Sequence, residues 1–165
     1  MPKDDISKKF EQLVKENELL LWKVCNIYAY NPSDRKDLFQ DIVMQLWKAF
    51  PNFRGESKIS TWIYRVAINT SISALRKKND FIHSYDPKSL PVDVADAVER
   101  GMEEQLQQLY GAIARLNEIE KAIVMLYLED RSYEEMEEIL GISNGALRVK
   151  MNRIKNKLRG LTQTS

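Results

Sequence analysis

Apolar residues in the first half of the chain recur at helical intervals. Phe10, Leu13, Leu20 and Val24 lie on one stripe, interrupted by the polar Asn17, and Leu38, Ile42, Leu46 and Trp47 form a second. Between them, NPSDRKD combines capping residues with a proline and predicts a break followed by a new helix. PNFRGES predicts the next break, after which Lys58 to Lys78 reads as a third, longer helix. These elements outline a small helical N-terminal domain over residues 5–79.

Periodicity fades in NDFIHSYDPKSLPVDVAD, which holds two prolines and several turn formers, so residues 80–97 are expected to form a flexible linker. A helical pattern resumes with Val98, Met102, Leu106, Leu109 and Ile113 and continues through Leu116 to Leu128, Ser132 to Leu140 and Ser143 to Leu161. No convincing strand run is present. The expected fold class is all-α: two small helical domains joined by a flexible linker, the second over residues 98–162.

Within that second domain, SYEEMEEILGIS has Ser132 placed as an N-cap and Glu135 three positions later, the spacing of a capping box. Gly141 ends the short helix where a left-handed residue is easiest for glycine, and Ser143 offers the next N-cap. Two short helices joined by such a turn predict a helix-turn-helix. In the second of them Leu147, Met151, Ile154 and Leu158 form a narrow apolar stripe. Gly145, Val149, Asn152 and Asn156 occupy the opposite arc.

Charge now changes the picture. The formal net charge is only +1, yet Gly141 to Ser165 carries six basic residues and no acidic one. Pro51 to Lys78 carries six basic residues against Glu56 alone, and the sequence between these two regions is predominantly acidic. Flanking cations on the last helix suit duplex phosphates, and the smaller polar residues between them suit base edges in a major groove. The plainer alternative is a solvated cationic face.

The first basic region pairs an aromatic-containing loop with a helix on which Lys58, Trp62, Arg65, Asn69, Ser73 and Arg76 share or border one stripe. Phe53 and Trp62 offer surface for stacking unstacked bases, while Arg54, Lys58, Arg65 and Arg76 offset phosphate charge. A tryptophan in a small domain also serves as core, so Trp62 admits both readings.

Composition excludes several classes. At 165 residues, 44% hydrophobic and 30% charged, the chain suits a soluble folded protein of one ordinary or two small domains. The lone Cys25 cannot form an internal disulfide, and no apolar run has signal or membrane length, so a cytoplasmic location is expected. His83 is solitary, Cys25 has no partner at zinc-ligand spacing, and neither FRGES nor GISNG is a phosphate-binding glycine loop. No enzyme activity, metal or cofactor is expected.

Taken together, DRKDLFQDIVMQLWKAFPNFRGESKISTWIYRVAINTSISALRK and LNEIEKAIVMLYLEDRSYEEMEEILGISNGALRVKMNRIKNKLR resemble the two domains of a bacterial RNA polymerase sigma factor of the extracytoplasmic-function (ECF) group. The resemblance covers about residues 8–78 and 103–161. It implies a promoter-specificity subunit that directs core RNA polymerase to promoters and assists strand opening in transcription initiation. Asp37, Gln40 and Asp41 would then meet core polymerase. Phe53, Arg54, Lys58, Trp62, Arg65, Asn69 and Arg76 would receive the non-template strand of the minus-10 region. Arg148, Lys150, Asn152, Arg153 and Lys155 would read minus-35 duplex DNA. An anti-sigma factor is a further implied partner. The linker would span the core near its product channel, with Asp80, Asp86, Asp93 and Asp96 either mimicking nucleic-acid charge there or standing exposed without contact.

This chain departs from the group's frequent pattern at Ser73, in SKISTW, and at Ala146, Val149, Lys150 and Met151, which leaves the preferred promoter unspecified. The main alternative is a stand-alone helix-turn-helix transcription regulator, with the N-terminal domain serving dimerisation or ligand sensing. A third is an adaptor whose cations are incidental.

Overall fold

A computed structural model describes residues 3–81 and 104–162, and every element in them is helical. Helix α1 (Lys3–Glu16) and helix α2 (Glu18–Tyr28) meet at Asn17, the polar interruption of the first apolar stripe. The Asn17 side-chain amide donates to the Leu13 carbonyl at 2.8 Å, a local bond that competes with regular helix geometry. Helix α3 (Pro32–Ala49) starts as NPSDRKD predicts, with Pro32 in the first turn and the Asn31 Oδ1 accepting from the Asp34 amide at 2.8 Å. A short 3-10 turn (Phe50–Asn52) and a loop then lead into α4 (Ile59–Phe81). Gly55 takes φ +73° in that loop, a left-handed turn that suits glycine.

Helix α4 runs beyond Lys78 into the segment read as linker, because no helix breaker occurs before Pro87. The rest of the expected linker lies outside the described residues.

The C-terminal helices are α5 (Glu104–Ala114), α6 (Glu118–Leu128), α7 (Tyr133–Leu140) and α8 (Asn144–Thr162). At the start of α6, Asn117 and Glu120 satisfy each other's backbone amides at 2.8 and 3.0 Å in a full capping box. Ser132 caps α7 by accepting from the Glu135 amide at 3.1 Å. Gly141, at φ +70°, ends it and donates its amide to the Glu137 carbonyl. Ser143 Oγ accepts from the Ala146 amide at 3.3 Å and starts α8. The predicted helix-turn-helix is therefore assembled from local caps.

Apolar burial holds each group together. Leu21, Ile42, Leu46, Ile63 and Ile68 are sealed among α2, α3 and α4, and Ile123, Leu126, Met136, Leu147 and Ile154 among α6, α7 and α8. Each such side chain contributes roughly 1.5–3 kcal/mol on burial. The two groups also pack on each other: α2 meets α5 and α6, and α4 meets α6 and α7, so the core is one continuous apolar cluster. Sequence periodicity shows two helical bodies but carries no sign of this seam.

Candidate nucleic-acid interface

Helix α8 separates its two faces cleanly. Leu147, Met151 and Ile154 are buried, while Gly145, Val149, Asn152 and Asn156 are exposed along the opposite arc, as their spacing predicts. Arg148, Lys150 and Arg153 are exposed and Lys155 is half-buried. Arg148 is held by its own neighbourhood: its Nε donates to Asn144 Oδ1 at 2.7 Å, and the guanidinium lies 4.7 Å from the centroid of the Tyr133 ring. Lys155 sits 4.9 Å over the Tyr127 ring. Both cations are thereby pre-positioned rather than free to sweep through solvent.

On α4, the exposed edge carries Arg65, Asn69, Ser73 and Arg76, with Lys58 exposed just before the helix and Arg54 in the preceding loop. Trp62 belongs to the other side. It is 9% exposed and its ring lies 4.9 Å from that of Phe53 and 6.4 Å from that of Phe50. Of its two readings, the structure places the indole in the core; there it supports the half-buried Phe53 at the edge of the loop. The stripe lies at the boundary between buried and exposed faces, and its large apolar member turns inward.

The α3 residues Asp37, Gln40 and Asp41 are all exposed and one turn apart, and Met44 continues their face with 54% exposure. The structure thus holds the three predicted groups of residues on three different helices. Asp37 and Asp41 share with Lys150 and Arg153 the walls of an interdomain cleft of ≈ 1210 Å³.

Several polar residues that the sequence did not single out form the seam. Tyr28 Oη donates to the Glu118 carbonyl at 2.7 Å, and Tyr30 Oη to the Ala114 carbonyl at 3.3 Å. Lys121, 2% exposed, donates to the Tyr30 hydroxyl and lies 4.8 Å from the centroid of that ring. Burial pushes the Lys121 amine down to about 8, against a smaller upward pull from Glu118. Arg131, in the turn before α7, lies 5.2 Å over the Tyr64 ring and pairs with Glu135 at 3.1 Å. That pairing holds the Glu135 carboxyl below its usual range. Burial pushes the Cys25 thiol up to about 12, with the nearby Arg35 opposing, so it stays protonated and unreactive near neutrality.

Among the described residues, no three His, Cys, Asp or Glu side chains are grouped to hold a metal, and no helix is long and apolar enough to cross a membrane.

Comparison with known proteins decides what these helices belong to. Residues 13–81 match the family Sigma-70 region 2, and residues 106–158 match Sigma-70, region 4. The chain is 30% identical to the ECF RNA polymerase sigma-E factor of Haemophilus influenzae, over 78% of its own length and 77% of the relative's. It belongs to the ECF sigma factors. As a sigma factor it is a promoter-specificity subunit of RNA polymerase and acts in transcription initiation. The sigma-E factor of Escherichia coli K12 is 29% identical over 86% of this chain and 81% of that one.

Two solved structures share the sigma factor's fold. One is the sigma factor RpoE from Bartonella quintana, in complex with the anti-sigma factor NepR, at TM-score 0.72 and 20% identity. It covers 96% of this chain and 99% of that one. The other is CnrH in complex with the cytosolic domain of CnrY, at TM-score 0.69 and 19% identity, covering 94% and 88%. At these identities the likeness concerns the fold.

Proposed function

We propose that the sigma factor divides promoter recognition between its two exposed basic helices and meets core polymerase through α3. Arg148, Lys150, Arg153 and Lys155 of α8 grip minus-35 phosphates and leave Asn152, with Val149 beside it, at base edges. Arg54, Lys58, Arg65, Asn69 and Arg76, with Phe53 at the loop edge and Trp62 behind it, receive the separated minus-10 strand. Asp37, Gln40 and Asp41 dock on the polymerase. The observation that carries this reading is the α8 geometry, in which a fully buried Leu147–Ile154 side stands opposite an exposed cationic one.

Strand opening then follows from differential binding. Each captured base gains ~1–3 kcal/mol if it stacks on an aromatic or guanidinium surface. Unstacking costs a few kcal/mol per flipped base, so stacking offsets much of that cost and phosphate contacts to the cations of the edge add to that offset. No nucleotide hydrolysis is needed, and bond formation belongs to the polymerase core. By analogy with its structural relatives, an anti-sigma factor is a further partner. The site of action is the cytoplasm, with the polymerase.

The decisive experiment is reconstitution with core polymerase on a pool of promoter sequences, recording selection and strand opening together. Enrichment of a two-element promoter, with opening beyond that of core alone, is expected. Duplex binding without association with core would favour the stand-alone regulator instead.

A further inference from the structure

The cations of α8 are not all held in the same way. Lys157 pairs with Glu120 at 3.0 Å, and Lys150 and Arg153 line the interdomain cleft together with Asp37 and Asp41. The flank formed by Arg148 and Lys155 rests on aromatic rings instead. The Arg148 guanidinium lies 4.7 Å from the ring centroid of Tyr133, the first residue of α7. The Lys155 amine lies 4.9 Å from that of Tyr127, near the end of α6. The two cations are seven positions apart, two helical turns or about 10 Å along α8.

Arg148 is fixed a second time, by a relay of side chains. Asn144 Nδ2 donates to Glu134 Oε1 at 3.2 Å, which turns Asn144 Oδ1 towards Arg148, and that oxygen accepts from Arg148 Nε at 2.7 Å. The relay ends in an amide oxygen rather than a carboxylate, so it orients the guanidinium without neutralising it. With one edge taken by Asn144 and one face by Tyr133, both Nη groups are left for an outside acceptor.

A ring seat and an ion pair differ in what a phosphate must displace. A carboxylate partner neutralises the cation and has to be expelled before a phosphate takes its place. A ring orders the side chain while its charge stays intact and its outward side stays open. Ordering a long side chain beforehand also removes part of the entropy cost of binding. Tyr127 is 40% exposed, and its contact with Lys155 gives that surface ring a task.

We infer that Tyr133, Tyr127 and Asn144 are positioning residues for duplex recognition: two rings and an amide hold Arg148 and Lys155 as a pair of outward-facing phosphate grips. The inference rests on the reading of α8 as the duplex-gripping helix. Two of the three lie on other helices, which is why the charge pattern of α8 does not show them.

The test measures affinity of the full chain for a random-sequence DNA duplex over a range of salt, since phosphate contacts carry no sequence information. Tyr133→Leu, Tyr127→Leu and Asn144→Ala should each weaken binding about fivefold with the salt slope unchanged, because no cation is removed. Arg148→Ala should lower the slope by about one ion equivalent. In the Arg148→Ala background, Tyr133→Leu and Asn144→Ala should have no further effect, and Tyr127→Leu should have none in the Lys155→Ala background. Tyr133→Phe and Tyr127→Phe, which keep the rings, should bind as the wild type does.

Tyr133 is half-buried, so thermal denaturation accompanies each measurement. Should Tyr133→Leu not fold, Asn144→Ala and Tyr127→Leu decide the matter. The same loss with and without the seated cation, or a loss in the phenylalanine variants, would mean that the tyrosine touches DNA itself or only props the fold, and would overturn the assignment. Unchanged affinity in the single variants would do so too. Failure of the reading beneath is distinct: Arg148→Ala and Lys155→Ala would then leave both affinity and salt slope as they were.

Discussion

Helix α4 with the loop before it and helix α8 each carry six cations, and they are presented in opposite ways. On α8 a narrow apolar stripe is buried and the cationic side faces outward, so the direction of each residue follows from helical spacing alone. Helix α4 is apolar on two sides, packs on both domains, and leaves only a strip of polar surface, part of which is engaged by the chain itself. The lesson is that an equal number of cations does not mean equal availability. Neighbouring acids decide which one can take a phosphate.

The largest expected way to break this contrast is through the α8 core. Leu147 is fully buried, so Leu147→Ala should cost ~2–5 kcal/mol of C-terminal stability. Thermal denaturation would register the loss, and duplex binding would fall with it. If the protein denatures as before, α8 is not anchored as described.

Charge substitutions sharpen the comparison without unfolding either helix. Replacing Arg148 and Lys155 by alanine should weaken duplex affinity about tenfold and flatten its salt dependence by about two ion equivalents. Arg65→Glu should spare duplex affinity to within about twofold and reduce open-complex formation about tenfold. Salt-dependent duplex binding and permanganate footprinting of open promoters distinguish the two. Equal losses in both assays for both variants would dissolve the division of labour.

A smaller effect comes from pH. The Lys121 amine titrates near 8 in the closed seam, below the ordinary lysine value of about 10.4 that it regains when exposed. Between those values the unfolded chain binds more protons, so raising pH through that window stabilises the fold; below about 8 the gain is absent. The groups facing it are the Tyr30 hydroxyl across the seam and Glu118 on its own helix. The folding equilibrium constant from denaturant titration should therefore rise severalfold from pH 7.5 to 9.5. Lys121→Met should remove that rise, and duplex affinity should not share it.

Legibility in the sequence followed the range of the interaction. Ser132, Gly141 and Ser143 act on groups within four residues of themselves, and the helix-turn-helix they bound was readable from spacing. Asn17 was visible as a polar interruption, and the structure breaks the helix there. Asn117 with Glu120 has the same local signature as Ser132 with Glu135, and it closes a capping box at the start of α6. The direction of Trp62 was undecidable because its stripe borders both core and solvent. Nothing in the sequence announced Lys121 on Tyr30 or Tyr28 on the Glu118 carbonyl, since those partners lie about ninety residues apart. They meet only because two apolar surfaces that periodicity shows separately are joined.

Phe10 stacks edge-on against Trp47 and Phe50, Phe50 leans on Trp62, and Trp62 on Phe53. Read as a chain of rings, this ties the stiffness of the loop at Gly55 to a side chain more than forty positions upstream. Trimming the first helix would therefore soften the melting apparatus without removing any group that touches DNA. The opening turns of the protein act as a splint for a distant gripping edge.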